Sequence, residues 1–127
     1  MTSVLLDTHA WTWSLTGDDR ITTRALAAID EADTVFVSPI TFFEIAQKVR
    51  IGKWPEMVAF IDRLPSLLQS QGGVLAAFGP SICLEAGMME WAHRDPFDRL
   101  LAATARQGKH LLVSADTVFD GIVTRVW

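Results

Sequence analysis

Short β-rich runs alternate with segments of helical periodicity along the whole chain, and this alternation restricts the fold more than any other feature. The run SVLL at 3–6 ends on Asp7. A short apolar stretch of that kind fits a strand buried on both faces better than an amphipathic helix. TVFV at 34–37, HLLVS at 110–114 and the closing IVTRVW are further β-rich pieces, and VLAAF follows the turn marked by Gly72-Gly73. Helical segments lie between them. One starts near Thr8, and TTRALAAIDEA at 22–32 follows behind a Thr cap. Ser38-Pro39 pairs an N-cap with a first-turn proline ahead of ITFFEIAQKVRIG, where Gly52 suits a stop. Pro55 opens a pattern running to about Gln69 that Pro65 kinks or divides, and residues 80–90 form a short helix. Asp95-Pro96 repeats the cap-plus-proline start ahead of FDRLLAATARQG, closed by Gly108. Strands separated by helices predict right-handed crossovers and an α/β fold, with a mostly parallel central sheet flanked by helices on both faces.

A chain of 127 residues, half of them hydrophobic and a fifth charged, suits one domain spanning 1–127 with a real core. The lone Cys83 excludes an intramolecular disulfide, and VLLDTHAW lacks the pattern of a signal peptide, so the cytoplasm is the expected compartment. No apolar run of about 18 residues is present to span a bilayer, so no membrane association is expected. The formal net charge of −4 argues against nucleic acid only weakly. Acids gathered to hold metal ions reverse the local sign.

In an open parallel sheet, ligands bind beyond the carboxyl ends of the strands. Asp7 and Asp116 meet that rule directly, following LL and HLLVS. Asp98 would reach the same edge from the first turn of its helix and Glu44 from more than a turn into another. Converging carboxylates repel and take up protons unless a cation keeps them ionised. Oxygen donors without a His or Cys cluster select Mg²⁺ or Mn²⁺, ions suited to phosphate chemistry. Each acid also has a plainer role: Asp7, Asp95 and Asp116 as helix caps, Asp98 as a complement to the helix dipole, Glu44 as an exposed helical residue.

LLDTHAW, FFEIAQKVRIGKW, HRDPFDRLLAATA and LLVSAD occur in that order and closely resemble the PIN domains of VapC-type toxins of type II toxin-antitoxin systems. The resemblance covers nearly the whole chain and implies a PIN-like three-layer fold. It implies a metal site and catalytic centre at Asp7, Glu44, Asp98 and Asp116, with Glu44 as ligand or water-orienting base. Ser114 matches the small hydroxyl residue two positions before the last acid, and Asp95 is an outer member. The family further implies Mg²⁺- or Mn²⁺-dependent endoribonuclease activity on RNA, growth inhibition, a homodimer and a cognate VapB-like antitoxin. Two other functions use the same residues: a structure-specific DNA nuclease, and a catalytically silent protein whose acidic pocket holds an antitoxin arginine.

Lys48, Arg50 and Lys53 cluster at the end of the Glu44 helix, while Arg94, Arg99, Arg106 and Lys109 surround the Asp98 helix. Together they predict a basic rim for RNA phosphates, with Lys48, Arg50 and Arg99 as its chief members. Trp11, Trp13 and Trp54 are expected to line a dimer or antitoxin surface, and His9 and His93 have no assigned role.

Overall fold

The computed structural model describes residues 2–127. Five strands, β1 (Ser3–Leu6), β2 (Thr34–Val37), β3 (Val74–Leu75), β4 (Leu111–Val113) and β5 (Arg125–Val126), form one sheet in the order β3-β2-β1-β4-β5. Every pairing is parallel. Six α-helices occupy the connections: α1 (Thr8–Thr16), α2 (Thr23–Glu31), α3 (Pro39–Arg50), α4 (Leu64–Ser70), α5 (Pro80–Met88) and α6 (Pro96–Gly108). The expected α/β architecture is therefore present, with a wholly parallel sheet.

The period of two in a strand explains why β1 reads as uninterrupted apolar sequence. Val4 and Leu6 face one core, built with Ala10, Trp11, Ala25, Ile45 and Leu64 from the connections on that side. Leu5 points the other way, into a core with Leu101, Ala102, Ala105 and Phe119. Strand β4 divides likewise, Val113 toward the first core and Leu112 toward the second. Helix α5 then covers the outer flank of α6 through Ile82, Ala86 and Ala103. Both faces of the sheet are thereby covered, completing three layers.

Local details depart from expectation in instructive places. Of the two outcomes expected of Pro65, the segment 55–69 is divided and not kinked: a 3-10 helix at Pro55–Arg63 passes into α4, whose first turn accepts Pro65 because no intrahelical bond is missed there. Only Val74–Leu75 and Arg125–Val126 of the runs VLAAF and IVTRVW join the sheet. Ile122 and Val123 instead pack beneath the second core. Helix α6 does not stop by means of Gly108; Lys109 takes the left-handed position, at φ 55°. Gly108 is needed for space, since a Cβ there would lie 2.1 Å from His110 Nε2. No helix among the described residues is long and apolar enough to cross a membrane.

His110 packs against Phe36, with ring centroids 4.6 Å apart, and its Nδ1 shares a hydrogen bond with Ser3 Oγ at 2.7 Å. Burial lowers its pKa below the ordinary value of 6.5. The unfolded chain therefore binds the proton more readily, so this group's contribution to stability is complete above about pH 6.5 and declines as pH falls toward the folded value. Urea unfolding at pH 7.5 and pH 5.5 should show a smaller acid-induced loss in His110→Asn than in the parent; an equal loss would remove His110 as a source of the pH dependence.

Candidate active site

The sheet order places β1 between β2 and β4, so successive crossovers leave its carboxyl end in opposite directions and open a crevice there. Asp7 is the first residue past β1. Its backbone N–H donates to Val113 O at 3.0 Å, which aligns the ends of β1 and β4. Its Oδ1 accepts from Ala10 N at 3.0 Å and caps α1, while Oδ2 accepts from Ser114 Oγ at 2.5 Å. Ser114 is fully buried, and the same hydroxyl accepts from Asp116 N at 3.1 Å. One serine thus links the two acids that end β1 and β4. Asp116 Oδ1 accepts from Val118 N at 2.9 Å and caps the following 3-10 turn. Capping and membership of the site coexist, because a cap uses only part of a carboxylate's accepting capacity.

Glu44 and Asp98 approach from helices. Ser38 Oγ caps α3 by accepting from Ile40 N, and Glu44 lies farther along that helix beside α1. Its Oε1 accepts from Thr8 Oγ1 at 2.6 Å and its Oε2 from Lys48 Nζ at 2.9 Å. Asp95 caps α6 by accepting from Phe97 N and Asp98 N, and so sets the turn that projects Asp98. Asp98 Oδ2 is 2.6 Å from His93 Nε2. Asp7, Glu44, Asp95, Asp98 and Asp116 all line one cleft of about 360 Å³, with Thr8, His9, Trp13 and Lys48 on its walls.

Burial raises the pKa of Asp7 above the usual carboxylate value, against the hydrogen bonds of Ser114 and Ala10 that favour its charged form; the nearby Glu44 raises it further. Burial likewise raises Asp98, opposed by His93 and assisted by the charges of Asp95 and Asp116. Among the described residues no three His, Cys, Asp or Glu side chains stand within reach of a single ion. The donor set nevertheless fits a hard divalent cation, which would relieve both the desolvation and the mutual repulsion of these oxygens.

Several expected site residues are placed differently. The guanidinium of Arg99 donates to the carbonyls of Ala86, Met89, Trp91 and His93 at 2.6–2.8 Å. It pins the segment between α5 and α6 and is not free to grip RNA, because every one of its three nitrogens already donates to a carbonyl inside the protein. Arg106 and Lys109 stand at the far end of the 13-residue helix α6, about 12–16 Å along its axis from Asp98, and are no part of a rim around the acids. Lys48 is tied to Glu44, while Arg50 and Lys53 remain exposed at the end of α3. Trp11 is wholly buried, with Nε1 donating to Gln71 Oε1, so it belongs to the core and not to an outer surface. Thr8 and His93 were not assigned roles from sequence. His93 carried a faint signal in its spacing of five residues before Asp98.

A model of the PIN domain matches residues 4–123. The chain is similar to ribonuclease VapC22 of Mycobacterium tuberculosis, with 29% identity over 119 residues, covering 91% of this chain and 88% of that protein. Its fold resembles a toxin-antitoxin complex from Klebsiella pneumoniae, with a TM-score of 0.70, 19% identity and coverage of 98% of this chain and 96% of the other. It also resembles VapBC2 from Rickettsia felis bound to a DNA fragment from their promoter, with a TM-score of 0.71, 16% identity and 98% of each chain covered.

The carbonyl cluster around Arg99 predicts that Arg99→Lys lowers stability by about 1–3 kcal/mol, because an ammonium cannot reproduce the planar fork. Urea denaturation measures this. An unchanged midpoint would show that the cluster is not held by the guanidinium.

Proposed function

The chain belongs to the PIN domain family, and from that premise we propose that it is a divalent-metal-dependent endoribonuclease, the toxin partner of a cognate antitoxin. The observation that carries this reading is the convergence of Asp7, Glu44, Asp98 and Asp116, from four different parts of the fold, on one cleft. The similarity to a ribonuclease supports RNA as substrate, and the likeness to complexes of toxin with antitoxin supports such a partner. Residues 1–127 act as one PIN domain, consistent with their single five-stranded sheet.

The four carboxylates would hold Mg²⁺ or Mn²⁺, which when bound polarises a phosphodiester and lowers the pKa of water toward neutrality. The protein's part is to keep those oxygens in place. Ser114 fixes Asp7 and the backbone of Asp116; His93 restrains Asp98; Thr8 and Lys48 restrain Glu44. Hydrolysis adds the hydroxyl of water to phosphorus and expels one sugar oxygen, which receives a proton. With Lys48 paired to Glu44, Arg50 and Lys53 supply the positive charge on the approach that favours the RNA backbone. A homodimer and the antitoxin would cover exposed apolar side chains such as Phe43, Leu84 and Met88.

Incubation with RNA and DNA strands of the same sequence, in Mg²⁺, Mn²⁺ or a chelator, tests this function. RNA should be cut, the chelator should stop cleavage, and Asp98→Asn should abolish it while the circular dichroism spectrum is kept. Preferential cutting of DNA would make the protein a DNA nuclease. Antitoxin binding without turnover would make it a silent binding protein. Ser114→Ala should lower the affinity for Mn²⁺ by about 10–100-fold, the usual effect of removing a residue that orients a ligand; titration calorimetry reads it, and an unchanged affinity would detach Ser114 from the metal site.

A further inference from the structure

The acidic cleft adjoins a larger cavity of about 590 Å³, and His9, Trp13 and Lys48 line both. Nothing in the hydrolytic chemistry uses this second space. Its wall is aromatic: the His9 ring lies 5.3 Å from Trp13 and 4.9 Å from Trp54, between centroids. Cations frame that wall, with the Arg20 guanidinium 4.7 Å from the centre of Trp13 and Lys48 Nζ 5.4 Å from that of Trp54. Lys53 stands exposed among the lining residues. Unlike Trp11, neither Trp13 nor Trp54 is sealed into the core; each keeps part of its indole open.

The geometry points to a nucleobase pocket. An unstacked base of the RNA strand, next in line to the phosphate at the acids, stacks on the wall of His9, Trp13 and Trp54, while the exposed Lys53 faces the neighbouring phosphate. This rests on the ribonuclease reading. Three observations favour a base. The space is within the range of small-ligand sites. Aromatic faces framed by cations match the stacking and charge by which proteins hold single strands. Arg20, the residue best suited to a peptide carboxylate, is already occupied, since its Nε and Nη2 donate to Asp18 at 3.1 and 2.7 Å. Stacking tolerates any base but requires it to leave its helix, so the pocket selects single-stranded RNA around the cut.

The test pairs a change in the protein with a change in the RNA. Fluorescence anisotropy in Ca²⁺ would measure binding of labelled single-stranded RNAs, each with one abasic nucleotide at a different position around the cleaved bond. For the parent protein, one position flanking that bond should weaken binding by roughly 5–100-fold. Trp54→Ala should bind intact and abasic RNA equally, and Trp54→Phe should restore most of the difference. Because the comparison is made within each variant, a general loss of folded protein does not imitate it. A full abasic penalty in Trp54→Ala, or no penalty at any position in the parent, overturns the pocket. Cleavage of RNA without any such penalty would leave the nuclease intact and sink only this inference. A Trp54-dependent penalty on RNA that is never cut would do the reverse.

Discussion

Asp7 is a carboxylate placed at the end of a strand that is buried on both faces, and much of the molecule is arranged around keeping it there. A desolvated acid needs donors, and here they come from two directions: the Ala10 amide of the helix it starts and the Ser114 hydroxyl at the end of β4. The second bond requires β1 and β4 to be neighbours in register, as the bond from Asp7 N to Val113 O also does. That adjacency is possible only because the chain first builds outward from β1 through β2 and β3 and then returns to its other side. Sheet order, helix start and site geometry are thus mutually dependent through one side chain.

The same economy recurs around the cleft. Asp95 caps α6 and thereby aims Asp98; Asp116 caps a 3-10 turn while its amide reads the hydroxyl that holds Asp7. Each acid is engaged by a protein donor, yet burial, with the charge of Glu44 beside Asp7 and those of Asp95 and Asp116 beside Asp98, pushes Asp7 and Asp98 toward protonation. Protein contacts alone therefore do not neutralise the cleft, which is the condition a divalent ion would meet. The positive charge is less plentiful than a count of Lys and Arg suggests. Arg99 is spent on four carbonyls and Lys48 on Glu44, leaving Arg50, Lys53 and the aromatic wall beyond His9 to meet a substrate.

Much of this was legible beforehand where local chemistry acts alone. The strands of β1 and β4, the capped starts at Ser38 and Asp95 and the stop at Gly52 follow from short-range preferences that the fold had no reason to override. Gly108 misled because glycine serves two ends, backbone freedom and lack of bulk, and only the packed position of His110 reveals that the second applies. Arg99 misled for a related reason. A cation beside an acid suggests phosphate, whereas its partners are backbone carbonyls in the last turn of α5 and in the loop after it, whose path no local pattern encodes.

The sequence by itself determined the order and kind of elements, and which acids end strands or open helices, because periodicity and capping depend on residues within a turn or two of one another. Tertiary structure alone decided that Ser114 spans 107 positions to reach Asp7 and that Thr8 reaches Glu44 from a different helix, 36 positions away. It also decided that Trp11 is core while Trp13 and Trp54 open onto a cavity beside the acids. Those outcomes depend on which faces meet when the crossovers close over the sheet, a matter of long-range packing that the chemistry of single residues leaves open.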